Sequence, residues 1–350
     1  MSDPNRTHRL PDTGETGERL EPDRLARYLP DLLAGRLNAP VSVGAIERLK
    51  GGYSRQMWAF ETLETAGAVP ARWILCADSA QSVVGPDSLE RVREAKLLQR
   101  AHEAGLLVPA VLLVAGADNP FDVSWFVMAR LEGTASVGPL RRDPWYQERF
   151  GPLAEQKATI LTGIHRLAGV EDILGPAPAP GDVANREIQR WALALEQTPG
   201  ARSPVLERAL GWLGDHLPPA PPRISVVHGD FRTGNLLYDQ SGWRGVLDWE
   251  MAHLGDPLED VAWAQLVCWR LGTGNVGGLV DKPTWRRHYE AAAARSIDPE
   301  ALRFWEVLGS LKMSLLAWRA FARTPEGPER DLLERLYRQL GTELEQVLLA

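Results

Sequence analysis

The chain is poor in cysteine: only Cys76 and Cys268 occur among its 350 residues, and neither lies in a CxxC spacing. That argues against a disulfide framework or a thiolate zinc cluster and fits a reducing compartment. Basic residues are not in excess, with 39 Lys and Arg against 46 Asp and Glu and a net charge of −7. A general nucleic-acid-binding surface is therefore not expected. Long apolar runs are also missing. The stretch LLVPAVLLVAGA at 106–117 is broken by Pro109, and the polar N-terminus offers no signal-peptide core. The expectation is a soluble cytoplasmic protein with neither a membrane nor a nucleic-acid partner. What remains is ordinary globular composition, 44% hydrophobic and 24% charged, in a chain long enough for two lobes. The 13 tryptophans read mostly as core, with one or two lining a pocket.

Residues 1–23 are polar and read as a disordered tail. From Arg24, DRLARYLPDLLAG predicts a short helix closing at Gly35. A strand-rich region follows. VGAIERLKGGYSRQMWAFETLE predicts a hairpin turning at Gly51-Gly52, and ARWILCA, VPAVLLVAG and WFVMARLE predict further strands. Asp87 with Glu90 forms a capping-box pattern before the helix LERVREAKLLQRAHEA, which stops at Gly105. After Gly133 helical periodicity dominates, in LAEQKATILTGIHRLAG, NREIQRWALALEQ and PVLERALGWLGDHL. The fold class is thus α+β, with a small antiparallel-sheet lobe over 24–131 and a mainly helical lobe over 132–350.

The informative stretch is HGDFRTGNLLYDQSGWRGVLDWE, residues 228–250. ISVV is a buried strand ending at His228-Gly229-Asp230, LLY opens a hairpin, and WRGVL returns antiparallel. The start of the first hairpin strand then lies beside the end of the second, so Asn235 and Asp248 meet at one mouth and Asp230 reaches it from a short loop. A carboxylate and an amide oxygen side by side suit a hard cation such as Mg²⁺, and a second carboxylate is left to orient a hydroxyl.

HGDFRTGN, VLDWE and GDPLEDVAW resemble the aminoglycoside phosphotransferase and choline kinase-like family, whose fold is bilobal and protein-kinase-like. The likeness runs from the Gly51-Gly52 hairpin to about residue 323. Within the family the chain resembles bacterial phosphotransferases similar to the kinase-like domain fused to some acyl-CoA dehydrogenases. The resemblance implies a small-molecule kinase that uses ATP and Mg²⁺, with nucleotide held by the sheet lobe and chemistry in the helical lobe. It makes Asp230 the catalytic base, and Asn235 and Asp248 metal ligands with Glu250 joining through water. His228 becomes a structural support of the catalytic loop, and Asp260 its anchor from a following helix. At the nucleotide end it implies Gly51, Gly52, Tyr53 and Ser54 over the phosphates, Glu94 on the helix, and Met128, Ala129 and Arg130 at the hinge.

One departure stands out. The family carries a basic residue on its third strand, paired with the helix glutamate; here that position is Cys76, which brings no charge. Arg72 or Arg55 are the candidates to replace it. Two readings follow: a working kinase with a relocated cation, or a nucleotide-binding protein that does not turn over. A metal-dependent phosphohydrolase is a third, weakened by the lack of clustered histidines. Lys312, Arg319 and Arg323 share one face of the helix SLKMSLLAWRAFAR. This face is either solvated or suited to a carboxylate or phosphate, which points to a hydroxy-acid or hydroxyacyl-CoA acceptor over an aminoglycoside. His165 reads as a satisfied interior histidine.

Overall fold

The computed structural model describes residues 20–49, 55–64, 70–78 and 88–349. Residues 1–19 of the N-terminal tail, the turn residues Gly51, Gly52, Tyr53 and Ser54, and Asp87 of the capping box lie outside them. The last residues of the expected disordered tail are ordered instead: Leu20 is buried against Leu25 and Leu29, and the first helix already begins at Pro22.

The first half of the chain builds an antiparallel sheet from β1 (Val41–Val43), β2 (Glu47–Arg48), β3 (Arg55–Glu64), β4 (Ala71–Asp78), β5 (Val111–Ala115) and β6 (Trp125–Ala129). Its order is β1-β3-β4-β6-β5, with β2 also on β3. The strands alternate in the two-residue period that strand geometry dictates. Leu75 and Ala77 face the N-terminal helix Pro22–Leu37 and pack with its Leu25, Leu29 and Leu33. Ile74 and Cys76 face the other way, into a core shared with Ala95 and Leu98 of the helix Arg91–Glu103. Each such fully buried leucine contributes roughly 1.5–3 kcal/mol relative to exposure.

Two helix ends differ from the sequence expectation. The first helix runs through Gly35 and stops at Asn38, whose left-handed backbone (φ 55°) closes it, because an asparagine tolerates that conformation better than most residues. The second helix starts at Arg91, not after Asp87, with Glu90 as an extended N-cap that makes no side-chain cap bond. Leu89 N–H donates to Glu250 O (2.6 Å) and Arg91 reaches Asp78 (2.9 Å), so tertiary contacts set this helix start.

The second half is helical, through Phe150–His165, Val183–Glu196, Pro204–Asp215, Lys282–Ala293, Pro299–Arg323 and Pro328–Leu349. Between these helices lie two small antiparallel pairs: β7 (Ser225–Val227) with β10 (His253–Gly255), and β8 (Leu236–Asp239) with β9 (Gly242–Val246). Among the described residues no helix is long and apolar enough to cross a membrane.

Candidate active site

The β7 strand delivers His228-Gly229-Asp230, and the β8–β9 hairpin delivers Asn235 and Asp248. Leu236 pairs with Val246, and Leu247 N–H donates to Asn235 O (2.8 Å), so the two ends of the hairpin adjoin as its topology requires. Arg232 lies within charge range of both Asp230 and Asp248, whose field outweighs its burial and raises its pKa. The polar residues thus gather at one mouth.

Each is held by identifiable contacts. Asp230 accepts from Asn235 Nδ2 (2.6 Å), Trp263 Nε1 (2.8 Å) and Arg232 Nε, which lies 3.2 Å from both its oxygens. Asn235 Nδ2 also donates to Asp230 O (2.9 Å), so the amide nitrogen is engaged and its Oδ1 is left as the available ligand atom. Asp248 has φ 70°, a left-handed backbone uncommon outside glycine and asparagine, and its buried Oδ1 has no aligned hydrogen bond. An amide oxygen and a carboxylate at one mouth are a donor set that fits a hard cation.

The loop is braced from beneath. Asp260, fully buried, accepts the His228 N–H (2.7 Å) and the Gly229 N–H (2.9 Å). His165 Nε2 lies 3.1 Å from the same carboxylate and its Nδ1 lies 2.8 Å from Tyr289 Oη, so this histidine is interior and fully partnered. His228 Nδ1 accepts the Asp230 N–H (3.2 Å), so its Nε2 carries the proton and donates to Leu247 O (3.1 Å). One imidazole therefore ties Asp230 to the residue before Asp248. Gly229 has φ +82°, and a Cβ there would stand 2.5 Å from Met251 O. Gly229→Ala is expected to cost about 1–3 kcal/mol from backbone strain alone, read as a lower denaturation midpoint. An unchanged midpoint would mean that the loop relaxes freely.

An arginine from a neighbouring strand stands beside Glu94. Arg55, at the start of β3, places Nη2 2.9 Å from Glu94 Oε1 and 2.9 Å from Asp248 Oδ1, and Nε 3.3 Å from Glu250 Oε2. The Nη2 approaches are charge contacts without aligned hydrogen bonds. Burial works against this guanidinium's charge, but Glu94, Asp248 and Glu250 outweigh it and hold its pKa well above the ordinary value. Cys76 lies within charge range of this cluster as a neutral thiol, its pKa pushed up to about 11 by burial.

Arg72 does not take part. It stands on the surface, paired with Glu61 (3.0 Å) and Glu132 (2.9 Å). Arg91, which the sequence reading passed over, is buried against Glu94 and lies 3.5 Å from Glu250. Glu250 thus faces two arginines, so its negative charge is already balanced. Met128 is buried at the end of β6, and Ala129 N–H donates to Ala110 O (2.8 Å). Arg130 N–H donates to Arg72 O (2.9 Å), and the residue borders a shallow surface depression with Glu132.

The helix Pro299–Arg323 corrects another expectation. Lys312 is neither solvated nor facing a ligand; it is buried against Glu259, between the rings of Trp191 (5.2 Å) and Trp263 (5.3 Å). Arg319 donates to Thr198 Oγ1 (3.1 Å) and pins the end of the helix Val183–Glu196. Spacing alone could not tell a charged face from charges that dock onto neighbouring helices.

Lys157 escaped the sequence reading altogether. It is buried beneath the loop, its Nζ donates to Thr233 Oγ1 (3.2 Å), and burial lowers its pKa to about 7. The folded pKa lies below the unfolded one, so between about pH 7 and the ordinary lysine value only the unfolded chain holds the extra proton. Stability contributed by this site therefore rises with pH across that window. Lys157→Met is expected to flatten that slope in denaturation measured at pH 7 and pH 9. An undiminished slope would assign it to other groups.

A sheet lobe closing over a helical lobe, with the carboxylates and amide at their junction, defines a protein of kinase-like fold. The chain belongs to the phosphotransferase enzyme family, whose sequence model matches residues 45–305. It is similar to acyl-CoA dehydrogenase family member 10 of Mus musculus, 26% identical over 248 residues, which is 70% of this chain but 22% of that protein. The chain therefore spans about a fifth of that relative's length. Among solved structures it is similar to a Ralstonia eutropha protein assigned to the aminoglycoside phosphotransferases, with TM-score 0.69, 18% identity and coverage of 93% and 98% of the two chains. It is also similar to a thermostable mutant of an aminoglycoside phosphotransferase in ternary complex with AMP-PNP and hygromycin B, with TM-score 0.56, 16% identity and coverage of 91% and 97%. At these identities the structural likeness speaks for the fold.

Proposed function

We propose that the chain is an ATP-dependent phosphotransferase that moves the γ-phosphoryl group to a hydroxyl of a small molecule. The observation that carries this reading is the gathering of Asp230, Asn235 and Asp248 at one hairpin mouth, joined to Glu94 by Arg55. Support comes from the similar structure that holds AMP-PNP together with hygromycin B.

In this reading Asp230 accepts the hydrogen bond of the acceptor hydroxyl and orients it in line with the phosphorus. Arg232 and Trp263 fix the carboxylate so that it points one way before the acceptor arrives. Asn235 Oδ1 and Asp248 would hold Mg²⁺, which when bound neutralises phosphate charge. Arg55, anchored by Glu94, takes the phosphate-facing role that the family gives to a strand residue, and Gly51, Gly52, Tyr53 and Ser54 cover the phosphates. Met128, Ala129 and Arg130 form the hinge at the adenine. Asp260 and His228 hold the loop and do not touch substrate.

The acceptor class we favour is a hydroxy-acid or its CoA ester, not a polycation. The support is now Arg232, beside Asp230 and 4.6 Å from the Trp269 ring. A guanidinium next to the base repels an aminoglycoside and welcomes a carboxylate or phosphate. ADP release with Mg²⁺ and ATP, measured across aminoglycosides, choline-like alcohols, hydroxy-acids and hydroxyacyl-CoAs, tests both levels. Turnover on an aminoglycoside alone would overturn the acceptor class. Nucleotide binding without turnover on any hydroxyl would favour a protein that binds ATP and does not transfer.

A further inference from the structure

Behind the catalytic loop a second cavity opens, of about 80 Å³, far smaller than a nucleotide needs. Arg166, Arg223 and Arg295 all line it, together with Ser225, His165 and Tyr289, and no carboxylate does. In a chain with more acidic than basic residues, three arginines lining one small space without an acid among the lining residues call for a physical reason, although all three are partly open to solvent.

All three arginines reach the rim from different elements. Arg166 is the C-cap of the helix Phe150–His165 and donates through Nη2 to Ala292 O (2.8 Å). Arg223 lies two residues before β7 and donates through Nη2 to His165 O (2.7 Å). Arg295 follows Ala294, which ends the helix Lys282–Ala293 in a left-handed turn (φ 53°). Each backbone tether uses one nitrogen and leaves the rest of the fork available. Among the described residues the Arg295 side chain makes no hydrogen bond, and none of the three arginines is ion-paired. The carboxylate in charge range of Arg295 is Asp256, which is buried and already accepts from Leu258 N–H (2.9 Å) and Trp305 Nε1 (3.1 Å).

We propose that this cavity is a binding site for a small oxyanion of the phosphate class, separate from the phosphotransfer site. Planar guanidinium forks match tetrahedral oxyanions through paired N–H donors, and the cavity's size admits one such group. Its wall includes His165 and Tyr289, the pair that braces Asp260, and Asp260 in turn holds the His228 and Gly229 amides. An occupant therefore rests against the support of the catalytic loop.

The test uses the full chain without nucleotide and measures binding of inorganic phosphate, and separately of glycerol phosphate, by calorimetry and thermal shift. Wild type is expected to bind one or both. Arg166→Gln with Arg295→Gln is expected to weaken binding about tenfold or more, the equivalent of losing one charge-assisted contact. Phosphate that enters the phosphotransfer site is unaffected by these substitutions, so only the loss reports on the cavity. Should the double variant fold poorly, Arg295→Gln alone carries the test, since its side chain holds nothing in place. Loss with glycerol phosphate only would identify an ester group as the ligand; loss with both would identify the free oxyanion. Equal affinity in wild type and variants, or no binding of either compound to wild type, overturns the proposal. Neither outcome bears on phosphotransfer, whose assay is independent.

Discussion

Asp230→Asn is expected to lower turnover by about 10²–10⁴-fold, the range for losing a positioned general base, while ATP affinity changes little. The substitution keeps the shape of the side chain but removes its charge. It also sets an amide N–H₂ among three donors, because Trp263, Arg232 and Asn235 all now point at acceptor oxygens. One of those bonds must break or the amide must turn, so the hydroxyl loses its acceptor and its orientation together. Single-turnover phosphotransfer beside nucleotide binding separates these effects. Turnover within a few-fold of wild type would remove Asp230 from the reaction.

Arg55→Met should act on both stability and nucleotide binding. Glu94 and Glu250 are buried and Asp248 half-buried, and one guanidinium touches all three. Removing one partner of a buried ion pair costs about 3–5 kcal/mol, since the other is left desolvated and unpaired. Arg91 still contacts Glu94 and Glu250, which places the expected loss toward the lower end. A compact lysine ammonium cannot span three carboxylates as a planar fork does, so Arg55→Lys should recover only part of the loss. The readouts are the denaturation midpoint and the ATP dissociation constant. A variant with wild-type stability and unaltered ATP binding would show that Arg91 alone suffices and that Arg55 is not the relocated cation.

The contrast between Arg55 and Arg72 shows where the sequence stopped being informative. Arg72 shares the strand and the facing parity of Cys76, which made it a natural substitute, yet it ends on the surface with Glu61 and Glu132. Arg55 lies on another strand, and its nearness to Glu94 arises only because β3 and β4 pair with Arg55 opposite Asp78 and Met57 opposite Cys76. Register is a property of two segments at once and cannot be read from either alone. Lys312 makes the same point for helices. Its spacing from Arg319 and Arg323 is real, but Glu259 and two tryptophans from other helices decide that it is buried.

What the amino-acid order settled by itself were features of local origin or of short-range topology. The hairpin 236–246 is such a case, because its turn and its antiparallel return bring Asn235 toward Asp248 whatever the rest of the chain does. The alternation that puts Ile74 and Cys76 on one face of their strand belongs with it. The packed fold alone decided which cation stands beside Glu94, that Trp263 and Arg232 hold Asp230, and that Lys157 lies under the loop. The physical reason is that charge pairing and desolvation act through space over a few ångströms. Residues distant along the chain come within that range only after the sheet and the helices have closed on one another.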